Sequence, residues 1–485
     1  MSDNLNGRII NATKWTTLTE LIVKLINPVT SMVLARVLTP EAFGIVATLA
    51  MVTSFAGLFT DAGFHNYIVQ HDFYDEEALG KSADVAFWSN LILSIAIWGI
   101  IIIFAEQLAS LVGSPGSGFV LIVASLSILL GAFTSIQSAL YKRRMDFKTL
   151  FKVRVVSVLI PLVVTIPLAY WLRSYWAIVL GGLANSVVGA ILLTIFSDWK
   201  PSFFYSFPKL KEMLSFSIWS LVESISIWLT VNVDVFIVGT MLSQYYLGLY
   251  KTSSAIVGGI LGLITAATTP VLFSSLSRLQ DNDQEFKLLF FRFQKLVGIL
   301  VVPISMMIFC YSDLVTAILL GEQWAEASGF IGLWGLTSGV TIVLSHYASE
   351  VYRAKGHPKL SVLSQCLHII VMWPVVLISV RYGFQVLYIA RSVVRLESIF
   401  VDLIIIYTLV HFSPWQMIRN IMPAIFASVP ILLIAVGMKW IDDSPLSQIG
   451  TIVTSSLVYV AIIYQFPLEH QIINTYVLRK NGNIS

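Results

Sequence analysis

Charge is what this 485-residue sequence has least of: only 12% of its residues are Asp, Glu, Lys or Arg, about half the share a soluble chain carries. No polar stretch is long enough to form a separate soluble domain. Its 30 basic and 27 acidic residues nearly cancel, to a formal +3. With no basic, aromatic-interleaved polar region either, a nucleic-acid partner is excluded. Cysteine is also scarce: Cys310 and Cys366 both sit in apolar runs, where small core residues are expected rather than a disulfide or metal framework. The opening residues MSDNLNGRIINATKW lack the apolar core of a cleavable signal, so the first hydrophobic segment is expected to be an uncleaved anchor. What the sequence has in excess is hydrophobicity, at 57%. That much apolar surface does not fit inside ordinary soluble domains, and lipid is the expected solvent.

A bilayer core about 30 Å thick takes about 20 mostly apolar residues per helix. Runs of that size recur fourteen times: residues 18–38, 43–64, 85–104, 119–140, 155–172, 176–196, 214–241, 255–273, 288–310, 330–347, 360–380, 386–409, 418–436 and 449–466. They are long apolar runs, not the short alternating ones of a transmembrane barrel. The fold expected is an all-α polytopic membrane protein of about 14 transmembrane helices. With the N-terminus inside, 22 of the 30 Lys and Arg fall on cytoplasmic segments and adjoining helix ends, which predicts that both termini are cytoplasmic. The basic connector Leu140-Tyr-Lys-Arg-Arg-Met-Asp-Phe-Lys148 is expected to anchor against anionic lipid headgroups.

A shift of 204 residues lays Trp15 on Trp219, Leu38-Thr39 on Leu242-Ser243 and Gly44 on Gly248. The first and seventh spans therefore begin equivalent units of like topology, and a substrate site is expected near the midplane where such repeats meet. The organisation expected is two six-helix lobes, 1–197 and 198–411, followed by two additional helices and a tail over 412–485.

Polar residues then fall in stripes. Glu20, Lys24, Asn27 and Ser31 follow offsets of 0, 4, 7 and 11 in the first span; Arg391, Arg395, Ser398 and Asp402 follow the same offsets in the twelfth; Glu223, Thr230 and Asp234 follow a related set in the seventh. Each set shares one helix face. A charge at the bilayer centre costs roughly 3 kcal/mol on insertion scales, so these faces are expected to look into a hydrated interior. Lys24, Arg391 and Arg395 are the candidate cations for an anionic head group. Glu20, Asn27, Glu223, Asn232, Asp234 and Asp402 are the candidate cavity-polar or ion-coupling residues, partly desolvated carboxylates being able to take up H+ or Na+. Ion pairing within a stripe, such as Glu20 with Lys24, is the structural alternative. Trp15, Trp219 and Trp228 are candidates for stacking on sugars, although interfacial anchoring is the commoner role of tryptophan.

The segments Asp61-Ala-Gly-Phe-His-Asn-Tyr-Ile-Val-Gln70, Leu140–Lys148, Asn232-Val-Asp-Val-Phe-Ile-Val-Gly239 and Leu247-Gly-Leu-Tyr250 resemble recurring segments of polysaccharide-export flippases. These belong to the multidrug/oligosaccharidyl-lipid/polysaccharide exporter superfamily, and the likeness is strongest to the colanic-acid and teichuronic-acid branch. The resemblance extends over essentially the whole chain. It implies a bacterial inner-membrane protein that moves an oligosaccharide on undecaprenyl pyrophosphate to the outer leaflet for exopolysaccharide synthesis. It also implies membrane lipids and other polysaccharide-assembly proteins as partners, and no cofactor. Among site residues it carries over only Asn232 and Asp234, without a role.

Three other classes compete. A membrane glycosyltransferase or polymerase would be expected to carry acidic residues on a sizeable external loop, and the longest here, near Asp313, Glu322 and Glu326, is short. A multidrug cation antiporter would be expected to favour carboxylates over Lys24, Arg391 and Arg395. An ATP-driven pump would use a phosphate loop, but before Gly80-Lys81-Ser82 the position of the required first glycine is Asp75. The chain is not expected to be an enzyme.

Overall fold

A computed structural model of the chain describes residues 2–61, 63–442 and 444–472; the side chains of Asp61, Trp219, Glu223 and Thr230 lie outside the described residues. Every element described is helical. In chain order these are α1 (Ser2–Val37), α2 (Pro40–Asp61), α3 (Phe64–Gln70), α4 (Glu76–Ile103), α5 (Ala105–Leu111), α6 (Gly118–Arg143) and α7 (Phe147–Ile160). A π turn at Pro161–Thr165 leads into α8 (Ile166–Leu172), then α9 (Trp176–Phe196), α10 (Phe207–Met241), α11 (Gln244–Arg278), α12 (Asp283–Cys310) and α13 (Ser312–Leu319). After these come α14 (Ser328–Thr341), a second π turn at Ile342–His346, α15 (Ala348–Ala354), α16 (Lys359–Ser379), α17 (Phe384–Val394) and α18 (Leu396–Val410). The chain continues through α19 (Pro414–Ile441), α20 (Pro445–Ile463) and α21 (Pro467–Ile472).

Among the described residues, 12 helices are long and apolar enough to cross a membrane. They match twelve of the fourteen expected spans. The other two are also helical: the 35-residue α10, and the pair α17 and α18, which are 11 and 15 residues long and separated by Arg395. The chain forms two compact units, Met1–Lys251 and Thr252–Ser485.

In the first unit the turns are written into the sequence. Gly63, at φ 78°, takes the left-handed conformation that carries the chain from α2 into α3. Asp75 and Asp146 cap α4 and α7 by accepting the amides of Ala78 at 2.7 Å and Thr149 at 3.1 Å. Where α3, α4 and α6 meet, Phe64, Tyr67, Ile68, Phe87 and Ile136 form a buried cluster. Arg143 closes the end of α3, its Nη1 donating to the carbonyls of Ile68, Val69 and His71 at 3.1, 3.3 and 2.6 Å. A cation there satisfies carbonyls that the helix leaves without partners. The connector that the basic pattern assigns to lipid headgroups thus spends one of its three consecutive cations on helix capping. Outside the spans, Tyr67 donates to Glu212 at 2.8 Å, and burial together with that carboxylate raises the phenol's pKa.

In the second unit α12 packs on α14 and α19. Glycines make the first of these possible: a Cβ on Gly335 would lie 2.4 Å from Ile308 Cγ2, and one on Gly339 2.4 Å from Ser305 Cβ. Asn420 joins α19 to α12 by donating to the Phe291 carbonyl at 2.8 Å and to Gln294 Oε1 at 3.1 Å. Lys295 and the buried Glu469 pair at 2.8 Å, tying α21 to α12.

The internal repeat has a physical counterpart within the first unit. A Cβ on Gly44 would lie 1.9 Å from the Gln244 carbonyl oxygen, and one on Gly248 1.8 Å from that of Pro40. Pro40 and Gln244 are themselves 204 positions apart, so the contact maps onto itself under the repeat. Gly44→Ala and Gly248→Ala are each expected to cost about 1–3 kcal/mol by overpacking and to lower the melting temperature of the detergent-solubilised protein. Gly57→Ala, where the added Cβ meets nothing within 4 Å, is the control; equal melting of all three would show that the crossing yields without cost.

Candidate functional site

The first unit holds a cavity of about 550 Å³ bounded by α1, α6, α7 and α9. Glu20 lines it from α1, Lys142 from the end of α6, Arg154 and Ser157 from α7, and Asn185 and Ser186 from α9. The packing of Trp15 against Phe151, with ring centroids 4.8 Å apart, fixes α1 beside α7. Gln137 and Thr194 hydrogen-bond across α6 and α9 at 3.0 Å. Of the residues in the first polar stripe, Glu20 therefore faces this cavity, Lys24 is half-buried one turn further on, and Asn27 is exposed. Lys142 also approaches His65 Nε2 at 3.1 Å.

On α10, Asn232 donates to the Trp228 carbonyl one turn earlier at 3.0 Å. Asp234 is buried and accepts the Tyr250 hydroxyl at 2.7 Å. Trp228 donates to Ser54 at 2.9 Å and packs on Phe55. Both described tryptophans considered for sugar stacking, Trp15 and Trp228, thus make helix–helix contacts. Glu223 is outside the described residues.

The second unit brings Arg391 and Arg395 to one ring. Their guanidinium carbons lie 5.1 and 4.0 Å from the centroid of Trp334 on α14, and Arg395 Nη1 donates to Ser338 Oγ at 2.6 Å. Stacking orders the planar cation on the indole face. Nearby on the same strip of chain, His368 Nδ1 and Glu397 Oε2 are 3.1 Å apart. Asp402, 6% exposed, makes its contacts elsewhere. Its carboxylate accepts the hydroxyls of Ser345, of Tyr352 at 2.9 Å and of Ser364 at 2.7 Å. These come from the second π turn, α15 and α16, so one carboxylate fastens three neighbouring segments to α18. Burial of an ionised carboxylate is costly unless its lone pairs are met, and three hydroxyl donors meet them.

The sequence reading misses Trp334, the three hydroxyls on Asp402, and the cavity role of Lys142 and Arg154. A signal for the cavity was present: Ser127, Thr134, Ser138 and Lys142, all lining it, stand at offsets of 0, 7, 11 and 15, one helical face. Nothing local marks Trp334 or the donors on Asp402.

The family model for "polysaccharide biosynthesis protein" matches residues 33–329. An uncharacterized membrane protein in the cps region of Klebsiella pneumoniae is 22% identical over 389 residues, 79% of each chain. The succinoglycan biosynthesis transport protein ExoT of Rhizobium meliloti is 24% identical over 64% of this chain and 62% of its own length. Among solved structures, the lipid II flippase MurJ in an inward closed conformation superposes with a TM-score of 0.74 at 14% identity, over 94% of this chain and 98% of that one. At that identity the likeness is one of fold.

Asp402→Ala leaves three hydroxyls to find new partners and is expected to destabilise by about 3 kcal/mol, against about 1 kcal/mol for Tyr352→Phe, which removes one donor. Thermal melting of the purified variants ranks them; an Asp402→Ala that melts with the wild type would show that the carboxylate holds nothing together.

Proposed function

The chain belongs to the polysaccharide biosynthesis protein family, and we propose that it is a flippase for undecaprenyl-pyrophosphate-linked oligosaccharide. In this reading it sits in the bacterial inner membrane with both termini cytoplasmic. It passes the glycan head between leaflets without altering its covalent structure, by alternating access of two six-helix lobes. A sugar pyrophosphate does not cross hydrocarbon unaided, so the protein must offer polar surface at membrane depth while the isoprenoid tail stays in lipid.

The observation that carries the reading is the pair of guanidiniums, Arg391 and Arg395, ordered on Trp334. Arg presents a planar fork matched to phosphate oxygens, and charge-assisted bonds to phosphate are the stronger class. Stacking reduces the conformational entropy lost when such a fork engages an anion. Lys24, in the first unit, is the third cation assigned to head-group binding. The likenesses to ExoT, a succinoglycan biosynthesis transport protein, and to MurJ, a lipid II flippase, support the same reading. Coupling to H+ or Na+ is assigned to the carboxylates Glu20, Glu223, Asp234 and Asp402, with Asn27 and Asn232 as polar neighbours. Other membrane proteins of polysaccharide assembly are the partners this role calls for.

The test is reconstitution of the purified protein in liposomes with fluorescent lipid-linked oligosaccharide, followed by head-group accessibility at each leaflet. The wild type is expected to equilibrate the intact lipid between leaflets, and Arg395→Ala to slow this about tenfold, the worth of one charge-assisted bond, with membrane insertion unchanged. A shortened, extended or hydrolysed glycan, or no movement at all, overturns the proposal.

A further inference from the structure

The cavity of the first unit has no role in the reading above beyond the coupling assigned to Glu20. Its chemistry is unusual for the inside of a membrane bundle. Hydroxyl and amide groups dominate the polar wall. One carboxylate, Glu20, faces the cavity with two cations, Lys142 and Arg154, all three exposed, so the charge around it favours an anion. The volume of about 550 Å³ lies within the range of small-ligand sites. Lys142 is in the last turn of α6 and Arg154 in the middle of α7, and the distribution of basic residues places both toward the cytoplasm, where a flippase of this direction collects its cargo.

From these features the geometry points to a saccharide subsite: the first-unit cavity binds a negatively charged sugar of the glycan head, its acid group toward Lys142 and Arg154 and its hydroxyls toward Asn185, Ser157 and Ser186. The inference rests on the flippase reading for the source of the sugar and names a class of substrate within it. A uronic acid and a phosphorylated sugar share the required chemistry.

Ser186→Cys, placed on the wall of the cavity in the full-length protein with Cys310 and Cys366 replaced by Ala, provides the readout. Its reaction with a water-soluble methanethiosulfonate is followed in the presence of D-glucuronate, D-glucose 1-phosphate, D-glucose or inorganic phosphate. An acidic sugar at about twice its Kd is expected to slow labelling about threefold by mass action, and Arg154→Gln to abolish that protection. Protection by glucuronate alone assigns a uronic acid, and by glucose 1-phosphate alone a phosphorylated sugar; both outcomes support the subsite. Equal protection by glucose or by inorganic phosphate overturns it, as does an unreactive cysteine or one that no probe protects. Leaflet exchange by the wild-type protein separates the two claims. Exchange without protection removes the subsite and leaves the flippase; protection without exchange keeps a sugar site and removes the flippase.

Discussion

The structure depends on one constraint: a polar or charged group at bilayer depth has no water to turn to, so the protein must satisfy it from within. Asp402 shows the full solution. Three hydroxyls from three segments converge on its two oxygens, and the cost of burying the charge is offset by bonds that also hold α15, α16 and the second π turn against α18. The arginines show another. An indole face and a serine hydroxyl order Arg395. The two arrangements lie within twelve residues of each other: the carboxylate braces the helices, and the indole face holds the guanidiniums in place.

The two units carry different polar chemistry. The first contains a cavity walled by hydroxyls, an amide, one carboxylate and two cations; the second contains two guanidiniums on an aromatic ring. A lipid-linked glycan head has two matching parts, a hydroxyl-rich saccharide and a pyrophosphate. Cations on an aromatic platform serve phosphate through forked, charge-assisted bonds. A ring of sugar hydroxyls instead needs many modest donors and acceptors spread over a concave wall, which the first unit provides.

The spans were legible because hydrophobic runs of membrane length are a one-dimensional signal, and all fourteen are helical. Arg391 and Arg395 were legible as near neighbours because their spacing is local, whereas Asp402, expected on the same face, lies beyond the break at Arg395 and makes other contacts. Their partners were not: Trp334, Ser345, Tyr352 and Ser364 are 38 to 61 residues away in the chain, and no local pattern brings them together. The hydroxyls of α6 were obscured for a different reason. Ser and Thr inside apolar helices routinely bond to their own backbone, as Ser127 and Thr134 do with the carbonyls of Ala124 and Gly131, so they pass as neutral residues in a span. Arg143 looked like a surface cation because capping depends on the end of α3, a seven-residue helix too short to show in a hydrophobic profile.

The repeat holds its register at one helix crossing and loses it in the polar stripes. Gly44 and Gly248 are related by 204 positions, and so are the backbone carbonyls they touch; only a residue without a side chain fits, so geometry fixes the register there. The polar stripes do not keep that register. Glu20, Asn27 and Ser31 correspond to Glu223, Thr230 and Asp234 under a shift of 203. One residue is about 100° of helix rotation, so relative to the glycine crossing the second stripe is turned by more than a quarter of a revolution. At the position of Ser31 the second stripe carries Asp234, which is buried and accepts the Tyr250 hydroxyl of α11, so a carboxylate there serves a helix seam, while Glu20 at the head of the first stripe faces the cavity among α1, α6, α7 and α9.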